Sequence, residues 1–255
     1  MILEICTDSI ESAIAAQRGG AQRVELCSDL LEGGVTPSAG LITLVRERVG
    51  IDLYVMIRPR GGDFCYSELE FEAMEKDIRQ ARDMGADGVI FGILDEHARV
   101  DVRRTRCLVE LAHPLPVTFH RAIDMTPDLE TALEDVIATG ARRVLTSGGA
   151  AKVTDGVAAV ARMVEAAGER IRVMAGGGIT SETILSVAEE TGAAEFHASL
   201  RTARPSPVEF RRQDVQMGEI RDREYVRYVV EEDNVRSLAQ ALQRVLGERA
   251  AAGPR

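Results

Sequence analysis

These 255 residues show no basic face and no membrane-length apolar run, no export signal is expected from them, and each of these readings argues against a class of function. Lys and Arg total 31 against 41 Asp and Glu, a net charge of −10 with a pI near 5.1. Binding nucleic acid needs a concentrated basic surface, so no nucleic-acid partner is expected. The start, M-I-L-E-I-C-T-D, puts no basic residues ahead of an apolar segment, as a secretory signal would. No apolar run approaches the roughly 20 residues that span a bilayer. Neither C-x-x-C nor H-E-x-x-H spacing is present, so no zinc site is indicated. The four cysteines, Cys6, Cys27, Cys65 and Cys107, are far apart and are expected to be free thiols in a reducing cytoplasm.

The residues present can build a large core: 45% are hydrophobic and no linker divides them. A single domain over 1–255 is expected, with two smaller domains as the alternative. A Gly-Ala step followed by a short apolar run recurs at Gly20 to Cys27, Gly85 to Gly92, Gly140 to Ser147 and Gly192 to Ser199. Each follows a helix-like segment, so glycine ends the helix and the run is a buried strand. Ile2 to Cys6, Leu53 to Arg58, Pro116 to His120 and Ile171 to Ala175 bring the strand count to eight. Helical patterns occupy Asp8 to Arg18, Pro37 to Val49, Ser67 to Met84, Asp101 to Ala112, Asp128 to Thr139, Lys152 to Ala167, Ser181 to Thr191 and Asn234 to Leu246. Eight alternating units predict an α/β fold, a (β/α)8 TIM barrel. A doubly wound open sheet is the alternative, but no G-x-G-x-x-G follows the first strand. Residues 200–233, polar and arginine-rich, form a long excursion between strand 8 and the last helix, either solvated or functional. Residues 250–255 are expected to fray.

In such a barrel the site lies at the carboxyl ends of the strands. Glu4 and Cys6 end strand 1, and Glu25 and Cys27 end strand 2 in matching positions. Alternation sends each pair to one face, so the two thiols can approach each other. Arg58 and Arg60 lead into a Gly-Gly turn after strand 3 and could grip an anion. V-T-F-H-R-A-I-D, Val117 to Asp124, presents His120 into the barrel, with Arg121 and Asp124 at the rim. Ser147 follows strand 6, and Gly176, Gly177 and Gly178 follow strand 7, where backbone N–H groups at a helix start could hold an anion. Strand 8 carries Glu195 and His197. A buried network of Glu4, Glu25 and Glu195 with Arg58 and His120 explains this polarity on structural grounds. A ligand cavity lined by the same residues explains it functionally. Cys107 lies within a helical pattern and is expected in the core.

The runs I-R-P-R-G-G-D-F-C-Y-S (Ile57 to Ser67), V-T-F-H-R-A (Val117 to Ala122), V-L-T-S-G (Val144 to Gly148) and I-L-E-I-C (Ile2 to Cys6) closely resemble the copper homeostasis protein CutC family, from Met1 to about Ser199. The resemblance implies a (β/α)8 barrel, a cytoplasmic location and a homo-oligomer, dimer or tetramer. It also implies Cu(I) held by thiolates at the barrel mouth, here Cys6 and Cys27, soft sulfur suiting a soft ion. The alternative is an enzyme acting on a small anionic metabolite, phosphorylated ones included. It would bind through Arg58, Arg60 and the Gly176 to Gly178 turn, with His120 or Glu25 moving protons and a carboxylate orienting the imidazole.

Overall fold

The periodicity translates directly into elements. In a computed structural model of the chain, residues 213, 219, 221, 222 and 253–255 fall outside the description, as do the side chains of 245–252. The strands are β1 Ile2–Thr7, β2 Arg23–Leu26, β3 Asp52–Met56, β4 Gly88–Phe91, β5 Val117–Phe119, β6 Arg143–Thr146, β7 Arg172–Gly176 and β8 Glu195–Ala198. All pair in parallel with their sequence neighbours, and β1 pairs with β8, closing the barrel. The helices are α1 Ile10–Arg18, α2 Ala39–Arg48, α3 Glu68–Asp83, α4 Val102–Ala112, α5 Leu129–Thr139, α6 Val153–Ala167, α7 Ile184–Thr191 and α8 Glu232–Ala252. Local chemistry sets their ends. Ser67 and Glu70 form a capping box at the start of α3. Gly140 and Gly192 take left-handed backbone after α5 and α7, which is what the repeated Gly-Ala step supplies.

Strand alternation divides the interior in two. Residues such as Leu3, Ile5, Val24, Leu53, Val55, Phe91, Phe119, Val144 and Phe196 face outward and pack beneath the helices in the main core. The inward set is smaller and largely polar, and within it Cys6, Cys27, Tyr54, Met56 and Ile90 form an apolar cluster. Two glycines on β4 and just beyond it make room for the inward side chains of its neighbours. A Cβ at Gly88 would lie 2.5 Å from the Tyr54 ring, and one at Gly92 would lie 2.7 Å from Nδ1 of His120.

Two expectations need correction. Residues 200–233 are not simply a loop: β9 Arg201–Pro205 and β10 Val226–Val230 form an antiparallel pair. The pair is tied to the barrel where the Val230 N–H donates to Ser12 Oγ, 3.1 Å. The apolar alternation of Val226, Tyr228 and Val230 carried that signal beneath the arginines. Cys107 is exposed because α4 buries Arg104, Thr105, Leu108 and Ala112, which leaves position 107 on the outer face. The tail remains helical to Ala252, and the rest of it lies outside the described residues. Among the described residues, no helix is long and apolar enough to cross a membrane.

Candidate functional site

The inward polar residues fall into two layers. The lower layer lies at the amino-terminal ends of the strands, where Arg23 and Arg143 open β2 and β6 and Glu195 opens β8. Arg23 Nε donates to Glu4 Oε2, and its Nη2 donates to Glu195 Oε2 at 2.6 Å. Arg143 Nε bonds the same Glu195 oxygen, while its Nη1 reaches Thr118 Oγ1 at 3.2 Å. Both guanidiniums lie over the Tyr54 ring, 4.8 and 5.3 Å from its centroid. Glu195 is therefore not at the mouth with His197, as expected. It is two residues lower, neutralised by two arginines. The structural network exists, but its cations are Arg23 and Arg143 rather than Arg58 and His120. Alternation within G-A-Q-R-V-E-L and G-A-R-R-V-L-T, which puts Arg23 on the face of Glu25, was the signal for them.

The upper layer surrounds a cavity of 250 Å³ lined by Cys6, Glu25, Arg58, His120 and His197, with Arg121 at its rim and Met56, Phe64 and Leu145 as apolar walls. At its floor Cys6 Sγ lies 3.9 Å from Cys27 Sγ. Ligand atoms of Cys6, Glu25 and Cys27 all lie within 4.8 Å of one another. The contact with Cys27, burial and the Glu25 charge push the Cys6 thiol well above its usual range. The hydrogen bond from Cys6 favours ionisation of Cys27, but burial, Glu25 and Glu4 outweigh it and push Cys27 up to about 11. Without metal, both are thiols at neutral pH.

His197 stands between two carboxylates, with Nδ1 2.7 Å from Glu4 Oε1 and Nε2 3.6 Å from Glu25 Oε2. Burial opposes its charge, yet Glu25, Cys6 and Glu4 together hold it protonated well above its usual range. Glu4 is buried too, but Arg23 and His197 bring it down to about 2. Burial raises Glu25, whose Oε1 has no hydrogen-bond partner among the described residues. Because Glu4 lies below its usual 4.5 in the folded state, the unfolded chain binds more protons as pH falls. The stability from Glu4 is thus complete above about pH 4.5 and is lost as pH drops towards 2. Urea midpoints measured from pH 7 to pH 3 should fall for the native chain. In Glu4→Gln, less stable at pH 7, that acid slope should be shallower; equal slopes would remove Glu4 from the account.

His120 is not the base that its position suggested. Its Nδ1 accepts the Ala122 N–H at 3.2 Å, which puts the proton of a neutral ring on Nε2. Burial and then the Arg58 charge bring it down to about 3, so it is a neutral donor at physiological pH. A backbone amide, not a carboxylate, orients it. Arg58 is buried and gives Nη1 to the carbonyls of Glu32 (2.6 Å) and Gly34 (3.0 Å) and Nη2 to that of Gly62 (2.7 Å).

Several expected ligand groups do not reach the cavity. Arg60 turns outward to Glu70 at 2.6 Å and Asp63 at 3.1 Å, bracing the start of α3. Gly176 leaves room for Leu145, whose Cδ1 would lie 2.6 Å from an added Cβ. Gly177 and Gly178 adopt positive φ in the turn, and α7 starts only at Ile184, after a Thr183 N-cap whose side chain caps no helix N–H. The glycine turn therefore presents no helix start to an anion. Ser147 is held behind the rim, where its Oγ accepts from Arg121 Nη2 at 2.6 Å and lies 2.9 Å from Asp124 Oδ2. Met56, Phe64, Leu145 and Glu32 were missed. The first three look like ordinary core residues in sequence, and Glu32 reaches the cavity only through the fold of its loop.

Comparison with known proteins agrees with this architecture. The CutC family model matches residues 1–202. A protein of Chromobacterium violaceum described as family protein CutC is 50% identical over 243 residues, covering 95% of this chain and 98% of that one. The human copper homeostasis protein cutC homolog is 46% identical over 246 residues, 96% and 90% of the two chains. A crystal structure of CutC from Streptococcus agalactiae superposes with a TM-score of 0.73 at 34% identity, covering 77% of this chain and 97% of that one. Thiamine phosphate pyrophosphorylase from Pyrococcus furiosus, at 20% identity and a TM-score of 0.57, shares the barrel fold. With its family model matching residues 1–202 and relatives of this identity over nearly its whole length, the chain belongs to the CutC family.

Proposed function

We propose that this chain serves copper homeostasis by taking one Cu(I) as cargo at the floor of the barrel cavity, on Cys6 and Cys27. The approach of two buried thiols to 3.9 Å carries the reading. That distance is far beyond the roughly 2.05 Å of a disulfide and short of the roughly 4.6 Å that two metal–sulfur bonds of about 2.3 Å span in a line. It suits a bent arrangement with Glu25 as a third donor. Thiolates select a soft monovalent ion. Both thiols are protonated at neutral pH, so binding releases protons and strengthens as pH rises. The names of the human and mouse relatives, copper homeostasis protein cutC homologs, support the role. The family reading also carries a cytoplasmic homo-oligomer, and exposed Phe210 and Met217 offer apolar surface for such an assembly to cover.

The test is an anaerobic Cu(I) titration against a chromophoric competitor. It uses a Cys65→Ser, Cys107→Ser background, because exposed thiols are soft donors that compete for copper. One equivalent should bind, and further Cys6→Ser, Cys27→Ser substitution should abolish it. Unchanged stoichiometry and affinity in that variant would overturn the reading.

A further inference from the structure

The cavity holds donors that neither the thiols nor the buried network use. Arg58 is 4% exposed, and among the described residues the hydrogen bonds of its guanidinium go to the carbonyls of Glu32, Gly34 and Gly62. Among the described residues it forms no ion pair, unlike Arg23 and Arg143, which meet carboxylates. A buried guanidinium without a counter-charge is costly. Beside it stands His120, 5% exposed. Its Nδ1 is turned to the wall formed by Ala122 and Gly92, and its Nε2 has no partner among the described residues. At the rim Arg121 commits Nε to Asp124 and Nη2 to Ser147 and Ala150, with no bond on Nη1 among the described residues. One side of the cavity therefore carries positive charge and an unused N–H. Met56, Phe64 and Leu145 supply an apolar wall, and Glu25 and Glu32 also line the space.

These features select among anions. The carboxylates of Glu25 and Glu32 disfavour a second negative charge on a ligand, and the apolar wall rewards a hydrocarbon body. The 250 Å³ of space equals on the order of eight waters at roughly 30 Å³ each, enough for a few carbon atoms. A guanidinium beside an N–H donor matches a carboxylate. We propose that the cavity binds a small aliphatic monocarboxylate, its carboxylate held between Arg58 and the Nε2–H of His120 and its short chain lying against Met56 and Leu145. This site goes beyond the copper reading and uses neither thiol.

The experiment titrates the metal-free full-length protein, ¹⁵N-labelled at its four histidines, with butyrate and separately with inorganic phosphate. Butyrate is expected to bind saturably and to move the His120 Nε2 resonance, and phosphate to bind more weakly. His120→Phe keeps a ring but removes the donor. It should weaken butyrate roughly tenfold or more, as loss of a hydrogen bond to a charged group does, while still taking one Cu(I) with unchanged affinity in the Cys65→Ser, Cys107→Ser background. That retention separates failure of this site from failure of the copper site. Arg58 also clamps three backbone carbonyls, so its substitution is not used. If His120→Phe fails to fold, the resonance of the native protein decides. A His120 signal unmoved by tens of millimolar butyrate overturns the site, as does butyrate affinity unaltered in a folded His120→Phe. Phosphate binding as tightly as butyrate overturns the monocarboxylate assignment.

Discussion

An Arg23→Met variant is expected to lose about 3–5 kcal/mol of folding free energy, the usual penalty for removing one partner of a buried ion pair. Arg23 is 2% exposed and is shared by Glu4 and Glu195. Methionine fills much of the same volume, so the loss is charge rather than packing. Two carboxylates remain inside the barrel, one with only His197 as its cation and the other with only Arg143. Chemical denaturation measures the loss directly. For a chain of this length the melting temperature should drop on the order of 10 °C, at about 2–4 °C per kcal/mol. Adding Glu4→Gln should recover part of it, because one unpaired charge is then gone. The exposed pair Lys76–Glu72 sets the contrast, since Lys76→Ala should cost less than about 1 kcal/mol. If Arg23→Met costs no more than Lys76→Ala, the lower layer does not hold the barrel together.

Asp124→Ala should also cost about 3–5 kcal/mol, through the rim instead of the floor. The buried carboxylate accepts from Arg121 Nε (2.8 Å), Thr146 Oγ1 (2.5 Å), the Ser147 N–H (3.0 Å), Ser147 Oγ (2.9 Å) and the Gly149 N–H (3.0 Å). It ties the turn after β5 to the turn after β6. Alanine leaves the buried donors of Thr146 and Ser147 without that acceptor and Arg121 without its anion. Asp124→Asn, which keeps one carbonyl oxygen, should lose less. Equal losses in the two variants would mean that packing, not charge, carries the effect. A loss below about 1 kcal/mol would mean that water replaces the carboxylate. In V-T-F-H-R-A-I-D, His120 thus faces the cavity, while Arg121 and Asp124 build the rim.

How far the site could be read from the chain follows from the range of each signal. Strand and helix periods are local, as are helix caps and the Gly-Ala steps, so the eight units and their order are legible from residues a few positions apart. Parity along a strand is local too. It sends Glu4 with Cys6, Glu25 with Cys27, and His120 with Thr118 to the inside, and the matched E-x-C pairs foretell that the thiols meet. What parity does not tell is height along the barrel axis. Glu195 and His197 share a face, yet one lies in the ionic floor and the other at the cavity. Arg60 and Arg58 differ by two residues, yet one braces α3 and the other enters the cavity wall. Nor does local sequence say which charge neutralises which.

The sequence by itself therefore determined the barrel and the strand parity that sends Cys6 and Cys27 to the same inner face. Only the tertiary structure decided that His197 is the charged imidazole and His120 the neutral one. The reason is that their surroundings come from distant segments. Glu4 and His197 are 193 residues apart in the chain, and Arg23 and Glu195 are 172 apart. Closure of the barrel puts β8 beside β1, and with it two carboxylates around one imidazole and a lone guanidinium near the other.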